Sequence, residues 1–372
     1  MDIYSNRLQA VHQAMVTWGL DTLILTPGAA MRYLTGFSEE GFERLLCLVV
    51  PDDRPCVFIT PSLNAEQVRH NPAGVNDIRE WGDAEGWEKT LRELSSQLDL
   101  DIGIVGIDEG MSARFLLRIQ EILSTTLFKT SEPVFTECRI QKDAGELASL
   151  QHASEITDRA IAAAVSSCSE GKTEKEVALA INNAIALSGA STSFETIVSS
   201  GPNSALPHHT PGSRKLRTGD IVNLDFGARF DGYCGDITRV VSIGEPSQAA
   251  SEIYDIVFRA HQAAKAAAYP GATTHSVDSA ARAVITEAGY GEFFIHRTGH
   301  GIGLDDHEQP NIVSGSYQKL LPGMCFSIEP GIYLPGKFGI RLENIYTITN
   351  EGCRSFNQEI PAKLTTAEGS VD

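Results

Sequence analysis

The second half of the chain repeats itself at a separation of one hundred residues, and that repetition restricts the fold more than any other feature. Residues 156–189 align without a gap on 256–289, with identities at Ile156/Ile256, Arg159/Arg259, Gly171/Gly271, Thr173/Thr273, Val177/Val277, Ile185/Ile285 and Gly189/Gly289. Shared alanine supplies further matches, but the Gly-x-Thr pair and the closing glycine carry geometry. Thr173 with Glu176 has the spacing of a capping box, and a glycine after a helix readily takes the left-handed conformation that ends it. Two helix-loop-helix units of one build are predicted, each burying its apolar face on the strands that follow.

The repeat runs on into those strands. GDIVNLDFG (219–227) aligns with GMCFSIEPG (323–331), so Asp225 falls on Glu329, each an acid interrupting an apolar strand. Each strand is followed by a turn, at Asp231-Gly232 and Pro335-Gly336, and by a returning strand with another acid, Asp236 and Glu343. The acids of each pair lie at similar distances from their turn, which predicts that they meet across the hairpin. Four carboxylates at one apolar centre raise one another's pKa or demand a cation. An oxygen-rich set of this kind, completed by an imidazole, suits two hard or borderline divalent ions better than one structural zinc.

The imidazole is sought in HRTGHGIG, residues 296–303, where His296 and His300 stand four apart. A helical zinc pair has that spacing. Gly299, Gly301 and Gly303 argue against a helix, each costing about 1 kcal/mol relative to alanine there. No glutamate follows His296 either, so any metal partners lie elsewhere in the chain. The serine-rich stretch 191–204 lacks a G-x-S-x-G elbow and does not support serine hydrolase chemistry.

At 372 residues the chain exceeds what one core accommodates, so two domains are expected. The first 140 residues mix short apolar runs (TLILT, RLLCLVV, CVFIT) with amphipathic stretches and read as an α/β domain. The pattern turns polar at ECRIQKDAGE, which sets the expected boundary between residues 1–140 and 141–372. Near the start, Leu8, Val11, Met15 and Trp18 fall at helical spacing and predict a folded amphipathic helix instead of a signal peptide. No apolar run is long enough to span a membrane. A formal net charge of -18 without basic clusters argues against nucleic-acid partners. The seven cysteines include no C-x-x-C and read as reduced thiols in a cytoplasmic protein.

Four motifs, in order, then carry a resemblance: D-F-G-x-x-x-x-G-Y-x-x-D-I-T-R (225–239), T-G-H-G-I-G-L-x-x-H-E (298–308), S-I-E-P-G-I-Y (327–333) and I-R-L-E-N (340–344). Together they resemble the pita-bread metallopeptidases, a family that includes Xaa-Pro dipeptidase (prolidase), aminopeptidase P, methionine aminopeptidase and creatinase. R-Y-L-T-G-F (32–37) and R-I-Q-K (139–142) extend the resemblance over essentially the whole chain. It implies an α+β protein: an N-terminal creatinase-type α/β domain, then a pita-bread catalytic domain with a pseudo-twofold internal repeat.

Carried over position by position, the resemblance implies metal ligation by Asp225, Asp236, His300, Glu329 and Glu343. Asp236 and Glu343 would bridge the ions, with Asp225 on one and His300 on the other, joined by Glu329. His208, His296 and His307 match pocket histidines, and His209 offers a second imidazole beside His208. Arg341 matches an arginine able to engage a carboxylate, or pairs with a ligand acid. Two divalent ions per subunit are implied, with Mn2+ favoured and Zn2+, Co2+ or Fe2+ also able to bind. Glu329 would pass a proton from water to the leaving nitrogen while His307 meets the oxyanion. The expected activity is hydrolysis of the Xaa-Pro bond of dipeptides by a homodimer. Aminopeptidase P action on longer peptides is the alternative, and a non-catalytic binding module is a more distant one.

Overall fold

The apolar runs of the first 140 residues become strands of one mixed sheet. The structure, a computed structural model, describes residues 3–39 and 41–367. The chain divides into two compact units, Met1–Arg139 and Ile140–Asp372. In the first, strands Thr22–Leu25 (β1), Cys47–Pro51 (β2), Val57–Pro61 (β3), Asp77–Trp81 (β4), Ile104–Ile107 (β5) and Leu127–Thr130 (β6) form a sheet of order β4-β3-β2-β1-β5-β6. Both neighbours of β2 run antiparallel to it, and the other three pairings are parallel. Every residue of β1, β2 and β3 is buried, as expected of strands covered on both faces. The N-terminal helix Ile3–Trp18 buries Val11, Ala14 and Met15. Trp18, expected on that apolar stripe, is instead 46% exposed, with its indole N–H donating to Glu137 at 3.0 Å.

The second unit realises the repeat element by element. Helices Ala144–Ser167 and Glu174–Leu187 open its first half; Gln248–Ala267 and Thr274–Glu287 open its second. Thr173 and Thr273 cap the second helix of each pair, accepting from Glu176 N and Ser276 N. Gly171 and Gly271 share φ +87°, a conformation costly for other residues. Their N–H groups donate to the carbonyls of Leu216 and Leu320, both wholly buried, which ties each helical loop to the strand layer.

The first half continues with Ser191–Thr192 (β7), Ile197–Ser200 (β8), Ile221–Phe226 (β9), Ala228–Phe230 (β10), Tyr233–Cys234 (β11) and Ile237–Ser242 (β12). The second has Gly299–Gly301 (β13), Glu308–Ile312 (β14), Cys325–Ile328 (β15), Gly331–Leu334 (β16), Phe338–Arg341 (β17), Asn344–Ile348 (β18) and Cys353–Ser355 (β19), with Thr365–Thr366 (β20) returning to the first sheet. The sheets have orders β20-β12-β9-β8 and β14-β13-β15-β18-β19. In each, a central strand ends near one acid and its antiparallel partner begins just after another: Asp225 in β9 and Asp236 before β12, Glu329 after β15 and Glu343 before β18. A bridge between Thr238 and Glu343 joins the two halves.

The two hairpins differ in register. Ile328 pairs with Asn344, so Glu329 and Glu343 follow directly opposite one another, as expected. Asp225, however, faces Thr238 and not Asp236. The register is unbroken through this hairpin, with Phe226 opposite Ile237 and Arg229 opposite Cys234, so Asp236 misses Asp225 because it stands four residues after the Asp231-Gly232 turn while Asp225 stands six before it. Gly227 and Gly235 let the two backbones close on each other there, since a Cβ on Gly227 would lie 1.8 Å from the Gly235 carbonyl oxygen. Two apolar cores lie under the helix pairs, one around Ile181, Val222 and Phe226, the other around Val277, Phe326 and Ile328 and reaching Ile221 and Val240 of the first half. Among the described residues, no helix is long and apolar enough to cross a membrane.

Candidate active site

The strand ends of both halves converge on a cavity of about 640 Å³. Asp225, Asp236, His300, Glu329 and Glu343 line it together with His208, His296, His307 and Arg341. All nine residues singled out from the sequence therefore reach one space.

Its floor is acidic and buried. Asp225, Asp236 and Glu343 are 7%, 4% and 2% exposed. One candidate ligand atom from each of Asp236, His300 and Glu343 lies within 4.8 Å of the others. His300 Nε2 is 3.3 Å from Glu329 Oε1 and 3.8 Å from Asp236 Oδ2. Burial first, then mutual repulsion with Asp225 and Glu329, raises Asp236 and Glu343 well above ordinary carboxyl values. Burial likewise lifts Glu329 to about 7, against the pull of Arg341.

These residues fit divalent metal ions on three counts. Asp236 Oδ1 and Glu343 Oε1 are buried with no hydrogen-bond partner, an arrangement that costs stability unless a cation meets them. His300 Nδ1 lies 3.0 Å from the Gly301 carbonyl and must carry the proton, and burial keeps the ring neutral, so the Nε2 lone pair points at the carboxylates. Neutral donors hold these acids, Thr238 Oγ1 donating to Glu343 Oε2 at 2.7 Å and Ser327 Oγ to Glu329 Oε1 at 3.1 Å. Such contacts orient carboxylates without neutralising them.

Arg341 is committed to the protein. It pairs closely with Asp225 and donates to Thr238 Oγ1 at 3.1 Å, Tyr333 Oη at 2.8 Å and the Pro207 carbonyl at 3.3 Å. Of the two roles expected for it, pairing with a ligand acid is the one this geometry serves. His296 lines the cavity, but its nitrogens are engaged, Nδ1 with Arg297 O at 2.7 Å and Nε2 with Tyr333 Oη at 2.9 Å. Burial, then Arg341, lowers it to about 4, so it is neutral. His307 packs against His300 with ring centroids 3.9 Å apart and the planes inclined at 44°. His208 is exposed to the cavity, whereas His209 Nε2 turns back to Glu174 at 2.8 Å. The structure thus separates two histidines that the sequence left interchangeable.

Three participants were not singled out from the sequence. Thr238 and Tyr333 stand inside the quoted motifs, and that membership was their only signal. Arg297 lines the cavity, donates to Asn311 Oδ1 at 2.6 Å and lies 3.4 Å from His307 Nδ1, yet forms no ion pair with a carboxylate among the described residues. Cys234, between two of the acids, is buried with its thiol pushed up to about 12, so it packs and does not react.

A carboxylate-and-imidazole centre assembled from two repeated half-domains is that of a pita-bread metallopeptidase. The chain belongs to metallopeptidase family M24, whose model matches residues 148–350, while residues 7–141 match the Creatinase/Prolidase N-terminal domain. It is 38% identical over 359 residues to the probable dipeptidase PepE of Mycobacterium tuberculosis, covering 96% of this chain and 95% of that protein. Among solved structures it is similar to a recombinant prolidase from Thermococcus sibiricus, with a TM-score of 0.93 and 36% identity over 98% of this chain and 99% of that one. A dipeptidase from Pyrococcus horikoshii matches with a TM-score of 0.90 and 39% identity over 97% and 99% of the two chains.

Proposed function

We propose that this protein hydrolyses the Xaa-Pro bond of dipeptides. The observation that carries the reading is a pairing of charges: a buried acid cluster facing the neutral His300, and within the same cavity an arginine, Arg297, that forms no ion pair among the described residues. A dipeptide presents its scissile carbonyl and its terminal carboxylate only a few bonds apart, so its hydrolysis requires those two features close together. The relatives named prolidase and dipeptidase support the same choice.

Asp225, Asp236, His300, Glu329 and Glu343 would hold two divalent ions, with Mn2+ proposed and Zn2+, Co2+ or Fe2+ able to take their place. Such ions, when bound, supply Lewis acidity and a water of pKa near about 7. Glu329 takes the proton of the attacking water and returns it to the proline nitrogen, which has no hydrogen of its own in the substrate. His307 donates a hydrogen bond to the developing oxyanion, and His208 contacts the substrate from the facing loop. Arg297 holds the terminal carboxylate, Arg341 holds Asp225 in place, and His296 forms a neutral wall.

The reading includes a creatinase-like domain over residues 1–140, a catalytic domain over 141–372, and a homodimer in the cytoplasm. Hydrolysis rates on Xaa-Pro and Xaa-Pro-Xaa with added Mn2+ test the activity. Faster turnover of the dipeptide is expected; faster turnover of the tripeptide would reassign the protein to the Xaa-Pro aminopeptidases. Sedimentation as a monomer at micromolar concentration would remove the dimer.

A further inference from the structure

Glu174 and Thr274 occupy equivalent places in the repeat, the first residue of the second helix in each half, and both are completely buried. Thr274 ties its own facing loop with a hydroxyl alone, donating to Ser316 O at 2.9 Å. Glu174 reaches into the loop that lines the cavity. Its Oε1 accepts from Ser200 N at 2.9 Å, Ser200 Oγ at 2.7 Å and Asn203 Nδ2 at 2.9 Å. Its Oε2 meets His209 Nε2 at 2.8 Å and Gly212 N at 3.0 Å. Burial opposes the charge, but these donors outweigh it and hold the carboxyl below its ordinary value.

The pattern of anchorage singles out one residue. Pro207 is held through its carbonyl by Arg341, and Ser204 by Gly339 N at 2.9 Å. His209 is held by Glu174. His208, between Pro207 and His209, makes no internal hydrogen bond among the described residues and presents its ring to the cavity. The chain is thus fastened on both sides of His208.

We propose that Glu174 and His209 are positioning residues that set the place of His208 in the active site. The repeat-related threonine shows that the helix start does not need a carboxylate, so the acid at this place serves the loop. The proposal rests on the reading of His208 as a substrate-contacting group.

Glu174→Gln and His209→Gln, each alone and combined with His208→Ala, should be assayed on an Xaa-Pro dipeptide with the metal-loaded full chain, with Tm measured for every variant. His209→Gln, at a half-buried position, keeps the test available if Glu174→Gln does not fold. If the clamp acts through His208, each single variant loses about tenfold in kcat/KM, but less than about twofold when His208 is already alanine. Equal losses in both backgrounds, or no loss in either, would overturn the clamp while leaving the role of His208 standing. Unchanged kcat/KM in His208→Ala alone would overturn the reading of His208, and the clamp with it.

Discussion

His300 Nε2 lies 3.3 Å from Glu329 Oε1, and the ring proton sits on Nδ1 against the Gly301 carbonyl, so the imidazole brings no hydrogen to the contact. Either a shared proton or a metal cation must lie between them. Removing metal with a chelator is therefore expected to lower stability as well as activity. At one hundred times Kd, bound ion adds about 2.7 kcal/mol, a Tm change of roughly 5 to 10 °C for a unit of this size. Thermal melts with and without Mn2+ check this, and coincident curves would contradict it.

Asp236 should separate metal binding from folding. Its Oδ1 has no partner, and Glu343, Asp225 and Glu329 all repel it. Asp236→Asn removes that repulsion, so the metal-free variant should melt at or above the wild-type temperature. Added metal should no longer raise its Tm, and kcat should fall by about a thousandfold or more. A metal-free Tm well below wild type would show that the acid serves the fold instead.

Arg297→Met should change which substrates are accepted. A charge-assisted hydrogen bond contributes about 1.5–3 kcal/mol, so KM for an Xaa-Pro dipeptide should rise roughly tenfold to a hundredfold. The C-terminal amide of the same dipeptide, already a poor substrate, should be little affected. Wild-type enzyme that treats acid and amide alike would refute the assignment.

Gly299→Ala should damage the fold at the metal centre. An added Cβ would sit 1.9 Å from Ser327 O, a backbone atom of β15 that cannot swing aside. Overpacking of this severity costs about 3 kcal/mol. Denaturant unfolding reads the loss directly, and metal titration should show weakened binding, because His300 is the next residue.

His261 gives a pH signature away from the active site. It is fully buried, its Nδ1 has no partner, and burial, then Arg239 and Lys265, lowers it to about 3. The unfolded chain takes up this proton near pH 6.5 and the folded one only near 3, so acidification through that window favours unfolding. His261→Leu should flatten the fall in stability between pH 6 and 4, by up to about 1.4 kcal/mol per pH unit. Urea melts across that range measure the slope.

The repeat was legible because its markers are local: a capping threonine, a left-handed glycine and an acid inside an apolar strand each act within a few residues of themselves. The offset of Asp236 from Asp225 is just as local, because the two acids stand at unequal distances, six residues and four, from the Asp231-Gly232 turn that sets the register. The sequence could not decide between His208 and His209, because the deciding carboxylate comes from Glu174, on another element. Arg341 could be read as a carboxylate binder until four protein partners were seen around it. The glycines of HRTGHGIG ruled out a helix correctly. Their use lies in strand packing: β13 runs between β14 and β15, and a Cβ on Gly301 would lie 2.2 Å from Gln309 O.

The bridge between Thr238 and Glu343 spans more than a hundred residues of chain. Contacts that distant in sequence close late, after local helices and hairpins have formed. During synthesis, a ribosome that has finished only the first half-domain has exposed Asp225 and Asp236 but not His300, Glu329 or Glu343. The complete set of proposed ligands would then exist only once both halves have been made and docked. On the proposed ligand set, full-affinity metal capture would be a late event in the life of the nascent chain, and a record that its assembly has finished.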